Sequence, residues 1–180
     1  MDFFEVVSKR RSVRSYTKDP VTEDELKTVL EAVNAAPSAG NLQAYEVVVV
    51  TKASTKKKLA KAALGQNFIA EAPVVLVFLA NPRRSEHEYG IRGRELYCLL
   101  DLAIAAEHAH LSCVPLGLSS VWVGAFSEEA VAEAVSAPPY MSPICLLPIG
   151  RPRQIPAPAP RRALGDLVHK ERVGEGWPGG

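Results

Sequence analysis

The sequence is short of the residues on which many chemistries depend. It has three cysteines, Cys98, Cys113 and Cys145. The number is odd, no C-x-x-C is present, and no histidine stands at metal-ligand spacing. A disulfide scaffold and a zinc site are therefore excluded, and reduced thiols of a cytoplasmic protein are expected. His108 and His110 lie two apart and point to different sides of a helix, so they cannot share a metal. There is no G-x-G-x-x-G, which excludes a Rossmann dinucleotide site. No Ser-His-Asp or Cys-His set and no paired carboxylates suggest hydrolytic or nucleophilic catalysis, and His87 beside Glu88 reads as surface. The longest apolar stretch, 96–118, is interrupted by Asp101, Glu107, His108 and His110, too polar for a bilayer span. The opening Met1-Asp2-Phe3-Phe4-Glu5 does not read as a signal peptide. Charge of one sign is missing as well: 21 basic and 20 acidic residues leave a net +1. That balance speaks against a nucleic-acid or membrane-surface binder. No internal repeat is evident.

What is present is a core. The chain is 47% hydrophobic over 180 residues, enough for one domain. Residues 2–9 read as a short helix ending in a basic turn. Thr22 to Glu25 is a capping box that opens an amphipathic helix carrying Leu26, Val29, Leu30 and Val33. Residues 37–43 form a loop. The valines 47–50 read as a buried strand, 55–64 as a helix with lysines outward, and 74–79 as a second buried strand. Residues 81–93, polar and glycine-bearing, read as a mobile loop. A helix from about Arg94 to Ser112 is apolar on nearly every side and needs cover all round, including a second subunit. A third strand is expected over 117–126, a short helix capped by Ser127 after it, and a fourth strand over 144–150. Residues 152–160 hold four prolines; as polyproline II they reach roughly 28 Å across a neighbouring surface.

The chemistry gathers at Arg10-Arg11-Ser12-Val13-Arg14, three guanidiniums and a hydroxyl within five residues. Guanidinium forks match phosphate or carboxylate and keep their charge at any working pH. A solvated basic turn is the rival reading of that cluster taken alone.

Five segments in order carry a resemblance: 10–14, Pro37-Ser38-Ala39-Gly40-Asn41-Leu42-Gln43, the 68–75 lead-in to a strand, Trp122-Val123-Gly124-Ala125-Phe126, and Ile149-Gly150-Arg151-Pro152 before a proline-rich basic tail. Over almost its full length the chain resembles the FMN-dependent nitroreductase superfamily. The resemblance implies an α+β fold, a mixed sheet flanked by helices, and an intertwined homodimer with FMN at each end of the interface. Residues 1–150 would form the FMN-binding body and 151–180 an extended C-terminal arm of the same domain. Arg10 and Ser12, joined by Arg161 or Arg162, would clamp the phosphate, with Arg11 a weaker member. Arg14 would stand at the pyrimidine edge of the flavin. Pro37, Ser38, Ala39, Asn41 and Gln43 would come from the other subunit. Gly124, next to Val123, would offer its N–H to flavin N5, and Asn67, in the polar pair Gln66-Asn67, would take the place where some relatives carry a lysine. Each has a plainer rival: Gly124 a bulge, Ser38 and Asn41 turn formers, Gln43 a surface residue.

The implied activity is hydride transfer from NADH or NADPH through flavin N5 to a small electron-poor acceptor (nitroaromatic, quinone or flavin), one substrate leaving before the next arrives. Other readings are a non-catalytic flavin store or sensor, reductive dehalogenation, and flavin fragmentation. Neither nucleic acid nor membrane is an expected partner.

Overall fold

The computed structural model describes residues 1–177; the last three positions of the 151–180 arm lie outside the described residues. Four strands form one sheet in the order β1-β2-β4-β3: β1 (Tyr45–Val50), β2 (Val74–Ala80), β4 (Ser142–Gly150) and β3 (Ser119–Ser120). All three strand pairs are antiparallel. The mixed character expected of the sheet enters through one parallel bridge, Ser12 to Ser120, which brings the basic segment onto its edge.

β2 shows why the sheet has helices on both sides. All seven of its residues are buried, and side chains alternate across a pleat. Leu76 and Phe78 join the core beneath α2 (Glu23–Asn34) and α6 (Cys98–Ser112). Val75, Val77 and Leu79 join the other, beneath α3 (Ala53–Ala62), α4 (Phe68–Glu71) and α7 (Glu128–Val135), together with Val13 and Tyr16. β1 departs from expectation. Its valines read as buried on both faces, yet it is an edge strand with Val49 exposed, because no strand among the described residues pairs outside it.

The helices start where local chemistry says they should. Asp2 and Thr22 each complete a capping box, with Glu5 and Glu25, at α1 (Phe3–Lys9) and α2. Ser127 caps α7 by accepting from the Ala130 N–H. The loop expected over 81–93 is instead α5 (Pro82–Arg92), kinked at Gly90 and followed by one π turn, Gly93–Tyr97, that runs straight into α6. Proline at its first turn is a start signal that its polarity obscured. It packs by close approach and not by an apolar stripe: a Cβ on Gly93 would lie 2.2 Å from the Ser85 carbonyl oxygen. The third strand is likewise shorter than expected, with a single bridge from Val123 to Leu146 beyond Ser120.

α6 buries one side, with Leu102, Ala105, Ala106 and Ala109 inward, and exposes Leu99, Leu100 and Ile104. α1 buries nothing and exposes Phe3, Phe4 and Val7. After Gly150 the chain is extended as far as the short α8 (Leu164–Leu167), and most of it is exposed.

Candidate anion and flavin site

Arg10 caps the C-terminus of α1 with its N–H on the Val6 carbonyl. The backbone then turns extended, and Val13 N donates to Ser120 O at 3.2 Å. Val13 is fully buried, so its neighbours Ser12 and Arg14 face outward along the edge. Tyr16 locks the segment: its hydroxyl lies 2.8 Å from the Val13 carbonyl and 3.1 Å from that of Pro148. Burial holds its phenol well above the usual tyrosine range, so it stays a neutral donor. Arg10 Nη1 reaches Ser12 Oγ at 3.4 Å. Arg11 turns back, donating to the carbonyls of Ser8 and Arg10.

Arg10, Arg11, Ser12, Arg14 and Arg161 all line one cavity of about 550 Å³, whose far wall is the proline arm from Pro156 to Ala159. Its lining has four arginines and two serines and no carboxylate. The two tail arginines are placed differently. Arg161 enters the cavity, while Arg162 donates to the Asp166 carbonyl at the end of α8.

The turn after β3 makes a second group. Val123 exchanges both backbone hydrogen bonds with Leu146, at 2.9 and 3.0 Å. That pins the chain just before Gly124, which is exposed, and whose N–H has no protein partner among the described residues. Gln66 Nε2 reaches the Ala125 carbonyl at 3.3 Å. Asn67 does not join it; it lines a separate surface pocket with Lys57 and Lys61. The sequence singled out the pair, but which carboxamide faces the turn is set by the break between α3 and α4.

The loop 37–43 is a third group. It carries left-handed backbone at Gly40 (φ 56°), Asn41 (φ 56°) and Gln43 (φ 43°). Asparagine tolerates this region; glutamine does so at a cost of order 1 kcal/mol. Gln43 Nε2 reaches the Asn41 side chain at 2.6 Å and Ser38 Oγ at 3.2 Å, and Gln43 N donates to Ser38 Oγ. Pro37, exposed, leads in from α2. Ala39 N donates to Asp101 Oδ1 at 2.9 Å, and Arg84 Nε to the Leu42 carbonyl. A Cβ on Gly40 would meet the Tyr89 hydroxyl at 2.5 Å, so any other residue there would displace Tyr89 and take on a left-handed φ. Within one chain this loop and the arginine cavity are separate: Gln43 lines a groove with Tyr45, Glu46 and Arg84. Asp101 is what sequence reasoning missed, and of the Gln66-Asn67 pair it favoured the residue that does not reach the turn. Asp101 registered only as a charge in an apolar helix, and its partner is 62 residues away.

All three cysteines are buried, and burial pushes the Cys113 thiol up to about 12. No cluster able to hold a metal ion occurs among the described residues. No helix of the described residues is long and apolar enough to cross a membrane.

The α+β sheet thus carries a cationic cavity at its edge and, in the turn after β3, an exposed glycine amide with no protein partner among the described residues. The pattern of the nitroreductase family matches residues 7–69 and 64–151, and the chain belongs to that family. It is 34% identical over 178 residues to FMN reductase (NAD(P)H) of Bacillus subtilis, across 92% of this chain and 72% of that relative. Among solved structures it is similar to the hypothetical oxidoreductase YcnD of Bacillus subtilis, with TM-score 0.87, 32% identity, and coverage of 94% of this chain and 73% of that one. It is also similar to the NADPH:FMN oxidoreductase of Vibrio harveyi complexed with NAD+, with TM-score 0.88 at 27% identity over 96% of this chain and 78% of that one.

Proposed function

We propose that the protein is an FMN-dependent oxidoreductase that draws electrons from NADH or NADPH and delivers them to a small electron-poor acceptor, working as a homodimer. The observation that carries this is the cavity with four arginines, two serines and no carboxylate. FMN ends in one phosphate dianion, which asks for several charge-assisted donors and no competing acid. The residues present fit that group. When bound, FMN supplies the two-electron chemistry at N5; the protein supplies place and electrostatics.

Arg10, Ser12 and Arg161 bind the phosphate. Arg14, exposed beside them, provides fixed positive charge toward the ring. Gly124 offers its unpaired N–H, and Val123 and Gln66 keep that turn in place on either side. The chain has no dinucleotide fingerprint, so nicotinamide and acceptor use the same pocket in turn. The homodimer reading draws on the exposed side of α6, on Phe3 and Phe4, which are 64% and 79% exposed, and on the arm. The Ser38–Gln43 loop, separate from the cavity in its own chain, then serves the partner's flavin. On this reading 1–150 is the body and 151–180 its arm.

Two measurements test the proposal. Chromophore released by heat from purified protein should co-migrate with FMN, and apo-protein should take up FMN. Initial rates with NADH or NADPH at several acceptor concentrations should give parallel double-reciprocal lines. A protein that stays colourless with FMN refutes the cofactor; intersecting lines refute the shared pocket; flavin that neither nicotinamide reduces leaves a store or sensor.

A further inference from the structure

The loop that contains Ser38 and Gln43 has three left-handed residues and must be held from outside. Two side chains from outside it hydrogen-bond to its backbone. Arg84 does so at the surface, on the Leu42 carbonyl. Asp101 does so from the interior: it lies on the inward side of α6 beside Leu102 and Ala105, is 2% exposed, and its Oδ1 accepts from the Ala39 N–H at 2.9 Å. Its second oxygen, Oδ2, is buried with no partner among the described residues. A buried carboxylate with half its capacity unused is costly, and an apolar residue would fill the same place on the helix without that cost. Packing therefore does not explain it, and the one hydrogen bond its side chain makes among the described residues is to the loop.

We infer that Asp101 is a positioning residue for the flavin site: it fixes the Ser38–Gln43 loop through the Ala39 amide and acts on the cofactor only through that loop. The inference rests on the flavin-binding reading given above. The geometry explains why an acceptor is used there. The Ala39 N–H opens a single 3-10 turn, Ala39–Asn41, whose N-cap Ser38 makes no capping bond to it, because its hydroxyl is occupied by Gln43. The orphan amide at the start of that turn is capped instead from α6. Loop and helix are thereby joined at one buried point, and the helix's outward side is the apolar surface of Leu99, Leu100 and Ile104.

The test compares wild type, Asp101→Asn, Asp101→Ala, Ala39→Pro and the Asp101→Ala/Ala39→Pro double variant. Asparagine keeps the accepting oxygen. Proline deletes the donor at the first position of a turn, where its φ fits. The readouts are amide exchange of Ala39 in apo-protein, FMN affinity by fluorescence quenching, and the visible circular dichroism of bound flavin. Asp101→Ala should speed Ala39 exchange at least about tenfold, a loss of local protection. Asp101→Ala and Ala39→Pro should each weaken FMN binding about tenfold and change the dichroism, while Asp101→Asn stays within about threefold of wild type; because they break one contact, the double variant should be no worse than either single within about twofold.

Unchanged Ala39 exchange or unchanged FMN affinity in Asp101→Ala overturns the inference, and so does an additive double variant. If Asp101→Ala does not fold, Asp101→Asn and Ala39→Pro decide: full FMN affinity in Ala39→Pro, or an asparagine variant that has lost it, overturns the inference. Wild type that binds no FMN overturns the flavin reading and this inference together; wild type that binds FMN with an indifferent Asp101→Ala overturns this inference alone.

Discussion

Glu25 and Arg151 meet at 2.7 Å across 126 residues, and the carboxylate they share is already in use. Its other oxygen accepts the Thr22 N–H at 2.9 Å and closes the capping box of α2. One side chain thus starts a helix and anchors the first residue of the C-terminal arm. The Thr22 backbone bond, followed by Arg151, holds its carboxyl below the usual range.

That arrangement predicts acid sensitivity. A carboxyl whose folded value is depressed contributes in full above its ordinary value, 4.5, and loses the contribution as pH falls through the folded value. Glu25→Gln should cost about 1–2 kcal/mol at pH 7, from a charge-assisted bond and a weakened cap. Urea unfolding from pH 7 to pH 3 should show the gap between the two proteins closing at the acid end. A gap of constant size would mean that the charge contributes nothing.

The arginines of the cavity should separate by role. Arg10→Ala and Arg161→Ala each remove a charge-assisted donor, worth about 1.5–3 kcal/mol, or roughly 10- to 150-fold in FMN affinity. Arg162→Ala should change affinity less than about threefold, since that side chain caps α8. Fluorescence titration of the three variants checks the order, and a loss confined to Arg162→Ala would reverse the assignment of the tail.

Arg14 should act on potential more than on affinity. Reduction places negative charge on the ring, so a nearby cation raises the midpoint. Arg14 is exposed and its effect is screened; an interaction of about 0.5–1 kcal/mol corresponds to roughly 10–20 mV for a two-electron couple. Arg14→Ala should lower the midpoint by that amount in a dye-coupled titration, while Arg10→Ala leaves it unchanged, because the phosphate keeps its charge.

Mixed dimers should show whose loop serves whose flavin. With Arg10→Ala in one subunit and Gln43→Ala in the other, one site keeps both an intact clamp and an intact loop, and about half the FMN capacity survives. With both substitutions in one subunit, each site is damaged once and neither keeps wild-type affinity. Tagged co-expression and FMN titration distinguish the two; the opposite pattern would place clamp and loop in the same chain's site.

What could be read from the sequence was local or repeated. The capping box of Thr22 and Glu25 spans four positions, and the core pattern of β2 spans seven, so both were legible. The basic segment stood out because three arginines crowd together. The rest depends on what a residue meets far away. Four valines in β1 say nothing about whether a neighbour lies outside them. α5 has Ser85 as its only buried residue, so no apolar period marks it. The choice between Arg161 and Arg162 is made by where α8 ends, and Asp101 looks like a stray charge until Ala39 is folded against it.

The basic segment also fixes a schedule. Val13 pairs with Ser120, Tyr16 reaches Pro148 across 132 residues, Thr17 N donates to Arg151 O, and Arg153 N donates to Ser15 O. Residues 12–17 are made before these partners and find them late. Contacts this distant along the chain form late, after long loops have closed. The arginines of this segment therefore sit on a backbone that stays unpaired until those partners have been made. A chain cut short before β4 lacks the wall on which they stand. On the flavin-binding reading, a fragment that ends before β4 would leave the phosphate clamp without its support.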